Sequence, residues 1–290
     1  MPRPRFMSYA VIMRLLTMLI VWLTLLVWVF NANRAGCLAN AGVLALIAGM
    51  IFIAGNERSH LLRRALLEEA KQGEGRLLPL VYHGIPVTLR DAVGAVLLAV
   101  VLLASALTFA PQQWSVLFAD LLLLTLLIPR LSRAMRGEVR AEYRYAMARQ
   151  WAVWISLLLL WSEAVMSLAL YPPADYTGMR WQEVVTYNLS VPDAACAPLQ
   201  TAARVFVTGQ AMAIWAVQNG TRFAHDPTQS IMLWVGYAAL VGFTFLTALA
   251  YSRALIGVMG RPWEMWRRGG ATDDTHGLAE SAEARRLAQR

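Results

Sequence analysis

The sequence predicts an all-α membrane protein, a polytopic helical bundle of about six transmembrane helices with both termini cytoplasmic. Three observations carry this expectation. Hydrophobic residues make up 58% of the 290, and charged residues only 15%, against about 25% charged in a typical soluble domain. The charges are gathered into a few segments, leaving long apolar runs between them. Finally, Arg and Lys are shared very unequally between alternate connections.

A helix needs about 20 mostly apolar residues to cross a hydrocarbon core of roughly 30 Å. Runs that meet or approach this lie at about 9–30, 36–54, 92–110, 114–129, 151–171 and 231–256. The fourth is short and carries Asp120. No cleavable leader is expected, because the first run is already long enough to span. Together these make a transmembrane domain over 1–260. The polar stretch 261–290 is expected to be a disordered cytoplasmic tail.

Counting basic residues orients the bundle. The N-terminal flank has three, the 56–91 and 130–150 connections six each, and the stretch from Arg253 onward seven, 22 in all. The alternate set, comprising the 31–35 and 111–113 turns and the 172–230 loop, has only Arg34, Arg180, Arg204 and Arg222. Positively charged loops are retained inside, so the first set is expected to be cytoplasmic in a bacterial-type inner membrane. A seventh span over about 201–218 would reverse the tail. Because that run includes Arg204, Gln210 and Gln218, a re-entrant or interfacial helix in the outer loop is expected instead. Trp114, Trp151, Trp263 and Trp266 stand at the ends of apolar runs, as interfacial anchors do.

The net charge of +8 does not indicate nucleic acid, since the basic residues mark span ends rather than a continuous stripe. All are Arg except Lys71, which suggests the codon usage of a GC-rich bacterial genome. The 59–72 segment reads as an amphipathic helix or an extension of the second span, and 76–91 as a short hairpin or irregular turn. The 130–150 connection reads as a charged helix. Its Arg133, Arg136, Arg140 and Arg144 form a basic surface for anionic headgroups at the inner leaflet, at about 1 kcal/mol per residue.

Candidate chemistry rests on two carboxylates. Asp120 lies six residues inside Trp114 and Glu163 eight inside Tyr171, or about 9 and 12 Å at 1.5 Å per residue. The two are therefore expected at similar depth on consecutive spans. Ionisable groups at such positions cost at least about 2.5–3.5 kcal/mol on insertion scales and often mark function. Ser156 and Ser167 share a helix face with Glu163, at i−7 and i+4. The first expectation is helix-association glue, with each carboxylate hydrogen-bonded to a neighbouring span or paired with Arg204. Proton or cation handling by this set is the second reading, and contact with a partner subunit the third.

Cys37 and Cys196 both fall on the outer side of this topology, where a disulfide between them is permitted. Ala41, Ala45 and Gly49 in the second span, and Ala238 and Gly242 in the sixth, form small-residue faces suited to helix packing. His60, His83, His225 and His276 lie outside the spans, and no CxxC or Cys/His cluster is present. No metal or cofactor is therefore expected. Walker, GxSxG, HExxH and GxGxxG motifs are missing too, and no internal repeat is evident. The expectation is a non-catalytic inner-membrane component, a scaffold or subunit of a secretion, conjugation or assembly system. Its partners would be anionic lipids and other membrane subunits or a second copy, with no nucleic acid. A small proton or cation channel or transporter using Asp120 and Glu163 is the alternative, and a membrane enzyme the third.

Overall fold

The computed structural model describes residues 9–70, 85–139, 141–170, 174–189, 196–222 and 227–258. Every regular element among them is an α-helix: α1 (Tyr9–Asn31), α2 (Cys37–Ala70), α3 (Ile85–Ala106), α4 (Pro111–Ala134), α5 (Ala141–Leu170), α6 (Trp181–Leu189), α7 (Ala197–Arg222) and α8 (Pro227–Val258). Four helical stretches are long and apolar enough to cross a membrane, namely Cys37–Asn56, Thr88–Ala106, Pro111–Ala134 and Ile231–Val258. A shorter apolar stretch covers Leu15–Asn31.

Several helix limits differ from the expected runs. Helix α3 starts at Ile85, so the described part of the expected 76–91 hairpin is helical. Pro86 sits in its first turn, where proline lacks only an N–H that would go unpaired anyway. Residues 59–70 continue α2 rather than forming a separate helix. Helix α4 passes through Pro129 to Ala134, giving up one main-chain hydrogen bond there. The 130–150 connection is not one helix, for residues 135–139 form turns between α4 and α5. Arg133 therefore ends α4, Arg136 lies in the turn, and Arg144 belongs to α5; Arg140 lies outside the described residues. Arg144 folds back and donates to the carbonyl oxygens of Arg136 and Val139, both at 3.3 Å. Carbonyls left unpaired where a helix ends attract such cationic donors. The expected tail 261–290, Trp263 and Trp266 also lie outside the described residues.

Helix α8 is the hub, packing against α1, α2, α3, α5 and α7, while α4 pairs with α5 and α1 with α4. Its last turns, from Ala248 to Gly257, are almost wholly buried. Elsewhere the helices turn rows of large apolar side chains outward. On α1 these are Ile12, Leu16, Ile20, Leu23, Val27 and Phe30, and on α5 Trp151, Trp154, Leu158 and Val165. Spacings of three and four residues put each row on a single helical face. Water would not favour such faces, whereas hydrocarbon does.

The expected small-residue faces are not packing faces among the described residues. Ala41, Ala45, Gly49 and Ala238 are exposed, and a Cβ added at Gly49 or Gly242 would meet nothing within 4 Å. Close packing occurs on other small residues. A Cβ at Gly209 would come 2.7 Å from the Phe243 ring, one at Gly220 2.9 Å from Leu233 Cβ, and one at Gly236 2.9 Å from Ala216 Cβ. These pairings run α7 antiparallel along the first half of α8. Trp114, expected as an interfacial anchor, is buried and packs edge-on against Trp22 and Phe109.

The 174–180 turn closes over α7 through the side chains of Gln218, Asn219 and Trp215, and α6 packs on α7 through Val184 against Ala211. Gln218 accepts from the Tyr176 amide at 2.8 Å and donates to the Ala174 carbonyl at 3.1 Å. Asn219 accepts from the Gly178 amide at 3.2 Å, and Trp215 donates to the Met179 carbonyl at 2.8 Å. Gly178 adopts φ +84° in this turn, a conformation that glycine takes without a steric penalty.

The sulfurs of Cys37 and Cys196 are bonded, with Cα atoms 4.8 Å apart. The bridge ties the first residue of α2 to the residue preceding α7, across 159 residues of sequence. A cross-link that closes so long a loop restricts the unfolded chain and typically contributes about 2–4 kcal/mol. Cys37→Ser should therefore lower the thermal unfolding midpoint of the detergent-purified chain, and reductant should lower that of the parent alone. Equal midpoints, or both thiols reacting with maleimide before reduction, would show that the bridge does not form.

Candidate functional site

Two polar features occupy the interface of α3, α4, α5, α7 and α8. The first is a buried cluster at the crossing of α4, α5 and α8. Asp120 is 5% exposed, and Ser156 and Ser252 are fully buried. Ser156 Oγ donates to Asp120 Oδ2 at 2.8 Å and lies 2.9 Å from Ser252 Oγ. The second carboxylate oxygen, Asp120 Oδ1, is buried with no hydrogen-bond partner among the described residues. Groups of this kind are costly to bury unpaired, so a partner there would be strongly held.

The second feature is a cavity of about 280 Å³, one helical turn from the first. Leu117, Ala248 and Tyr251 lie at the end nearest the cluster, and Tyr251 Oη donates to the Leu117 carbonyl at 2.7 Å. Glu163 and Ser167 reach the cavity from α5, Gln210 and Ile214 from α7, Thr244 and Thr247 from α8, and Ser105 from α3. Gln113 lines it from α4, its Oε1 accepting from the Ala110 amide at 2.9 Å. Apolar walls come from Phe109, Val116, Leu160 and Leu240.

Asp120 and Glu163 are thus not side by side. Asp120 meets Ser156, seven residues before Glu163, which puts the second carboxylate about 10 Å further along α5. The equal-depth expectation fails because α4 and α5 do not end level. From the Asp120–Ser156 contact, α4 begins nine residues away at Pro111 and α5 ends fourteen away at Leu170. That is about 14 Å against 21 Å at 1.5 Å per residue. The expected stripe of Ser156, Glu163 and Ser167 divides accordingly. Ser156 belongs to the buried cluster, whereas Ser167 and Glu163 face the cavity.

No ion pair joins either carboxylate to Arg204 among the described residues, and Arg204 Nε is buried without a hydrogen-bond partner. No group of three His, Cys, Asp or Glu side chains suited to a metal ion occurs among the described residues either. Sequence reasoning missed Ser252, Tyr251, Thr244, Thr247 and Gln210. A signal was present, since Thr244, Thr247 and Tyr251 recur at i, i+3 and i+7 within an apolar run, which is one helical face.

Fold and site together define an all-helical bundle with outward apolar faces and a polar cavity between its helices. No family model matches the chain, and no curated protein or solved structure matches it.

Proposed function

We propose that this chain is a multi-pass protein of a bacterial inner membrane that binds and passes a small cation through the α3–α4–α5–α7–α8 interface. The observation that carries this is the cavity holding Glu163, set one turn from Asp120 and its unpartnered carboxylate oxygen. Six spans, α1 to α5 and α8, with both termini cytoplasmic, fit the 22-to-4 division of basic residues. In that orientation the cavity opens in the outer half and Asp120 lies deeper. A cation entering from outside meets Glu163 first and Asp120 next. Cys37 and Cys196 then face the oxidising side, which supports the same orientation.

The test is flux in proteoliposomes. The parent should carry protons or monovalent cations down a gradient, and Glu163→Gln should reduce that rate at least tenfold. An inactive parent, or a variant as fast as the parent, would overturn the reading. Orientation has its own check. A cysteine introduced at position 275, in a chain lacking the native pair, should react with impermeant maleimide only after the membrane is opened; labelling of intact cells would refute a cytoplasmic tail.

A second reading, a scaffold or subunit of an envelope assembly, is favoured by a different observation. Among the described residues nothing packs on the small-residue rows Ala41–Ala45–Gly49 and Ala238–Gly242, and Ile231, Trp234 and Val235 of α8 are exposed beside the α7 packing face. Mild detergent extraction should then recover the chain with other membrane proteins. Elution as a lone monomer would remove this second reading.

A further inference from the structure

The cavity wall has an unusual chemical sign. Six hydroxyl groups line it, and each has committed its single proton to a main-chain carbonyl. Ser105 donates to Leu102, Thr108 to Ser105, Ser167 to Ala164, Thr247 to Phe243 and Tyr251 to Leu117, at 2.7–3.0 Å. Thr244 donates to Val241 at 2.9 Å. A hydroxyl holds one donor and two acceptor lone pairs, so what these six offer the cavity is acceptor capacity. The Glu163 carboxylate, when ionised, is acceptor-only as well. Among the described residues, side-chain donors on the wall are confined to the amides of Gln113 and Gln210. An occupant must therefore bring the hydrogens.

That requirement narrows the cation. An anion would face a carboxylate and a ring of lone pairs. A quaternary ammonium has the right charge but no N–H, so the acceptors would be left desolvated and unpaired. A hydrated metal ion would satisfy them but would press its water shell against Phe109, Leu160, Ile214 and Leu240. A primary ammonium on a short carbon stem meets both demands, with three N–H donors for the oxygens and methylenes for the apolar wall.

We propose that the cavity selects a primary ammonium group, carried either by a small free amine or by the ethanolamine headgroup of a lipid. This rests on the cation-binding reading above. Glu163 supplies the counter-charge, and the hydroxyl oxygens of Thr244 and Thr247 receive N–H donors.

The experiment uses the full chain in detergent and four matched probes: n-butylammonium, n-propyltrimethylammonium, n-butanol and n-butyrate. Calorimetric titration should show butylammonium binding at least tenfold tighter than the other three. Glu163→Gln should weaken it at least tenfold. The isosteric double variant Thr244→Val/Thr247→Val should weaken it at least threefold while its unliganded melting curve stays two-state. Propyltrimethylammonium binding as tightly as butylammonium would overturn the selectivity for N–H donors and leave the cation reading standing. So would a double variant that folds and binds butylammonium unchanged. Failure of all four probes together with absence of cation flux would overturn the cation reading itself. Nanodiscs separate the two sources. If the headgroup is the occupant, phosphatidylethanolamine discs suppress butylammonium binding at least threefold relative to phosphatidylcholine discs. Equal binding in both assigns the site to a free amine.

Discussion

Adding one methyl group at Gly257 should destabilise the bundle strongly. A Cβ built there would overlap the carbonyl oxygen of Met50, so α2 and α8 touch backbone to backbone at this point. The obstacle is main chain in the middle of a helix and cannot swing aside as a side-chain tip can. Relief requires the two helices to part, and overpacking of this kind costs about 1–3 kcal/mol and occasionally more. Gly257→Ala should fall at or above the top of that range. It should lower the thermal unfolding midpoint followed by circular dichroism in detergent. Gly49→Ala is the matched control, because its added Cβ meets nothing within 4 Å. There the sign reverses, since alanine is favoured over glycine inside a helix by roughly 0.5–1 kcal/mol. Equal effects at the two positions would show that α2 and α8 do not approach as described.

The second large effect concerns Asp120. Asparagine in its place keeps an oxygen to accept from Ser156 and the same shape, but removes the charge. If the carboxylate were there to hold helices together, losing it would weaken the fold, by under about 2 kcal/mol for a typical polar contact between spans. The structure gives the opposite expectation. One carboxylate oxygen has no partner among the described residues, and an Asp near the centre of a span costs about 2.5–3.5 kcal/mol to insert. Asp120→Asn should therefore match or exceed the parent in thermal stability while cation flux falls at least tenfold. A variant that unfolds earlier than the parent and retains its flux would identify Asp120 as a structural tie.

Much of the fold was legible in the sequence. The apolar runs located α1, α2, α4, α5 and α8 to within several residues at most ends, because exclusion of charge from a long helical stretch is a local property. Ends were less legible where local chemistry competes. At Ile85 the helix starts early because Pro86 is tolerated in a first turn, and at Pro129 it continues because the loss of one hydrogen bond does not stop it. Helix α6 left no apolar run to find. The packing faces were misread, since rows of small residues permit close approach without specifying which neighbour approaches. Ala41, Ala45 and Gly49 look outward, whereas Gly209, Gly220 and Gly236 make the contacts.

The candidate site divides along the same line. Asp120, Ser156, Glu163 and Ser167 stand out as polar residues in apolar runs, and no tertiary knowledge is needed to select them. Their partners are a different matter. Ser252 meets Ser156, the partner of Asp120, from 96 residues away in sequence, and Gln210 enters the cavity from a helix that the sequence assigns only to an outer loop. Sequence alone determined that the chain is helical, has stretches apolar enough to cross a membrane and carries Asp120 and Glu163 within apolar runs. These follow from hydropathy and helical period, which act over a few turns. Tertiary structure decided that Glu163 lies about 10 Å further along α5 than the contact made by Asp120, one carboxylate in a closed serine cluster and the other in an acceptor-lined cavity. The relative sliding of α4, α5 and α8 sets that separation, and sliding depends on side-chain interlock between helices, which no single helix encodes.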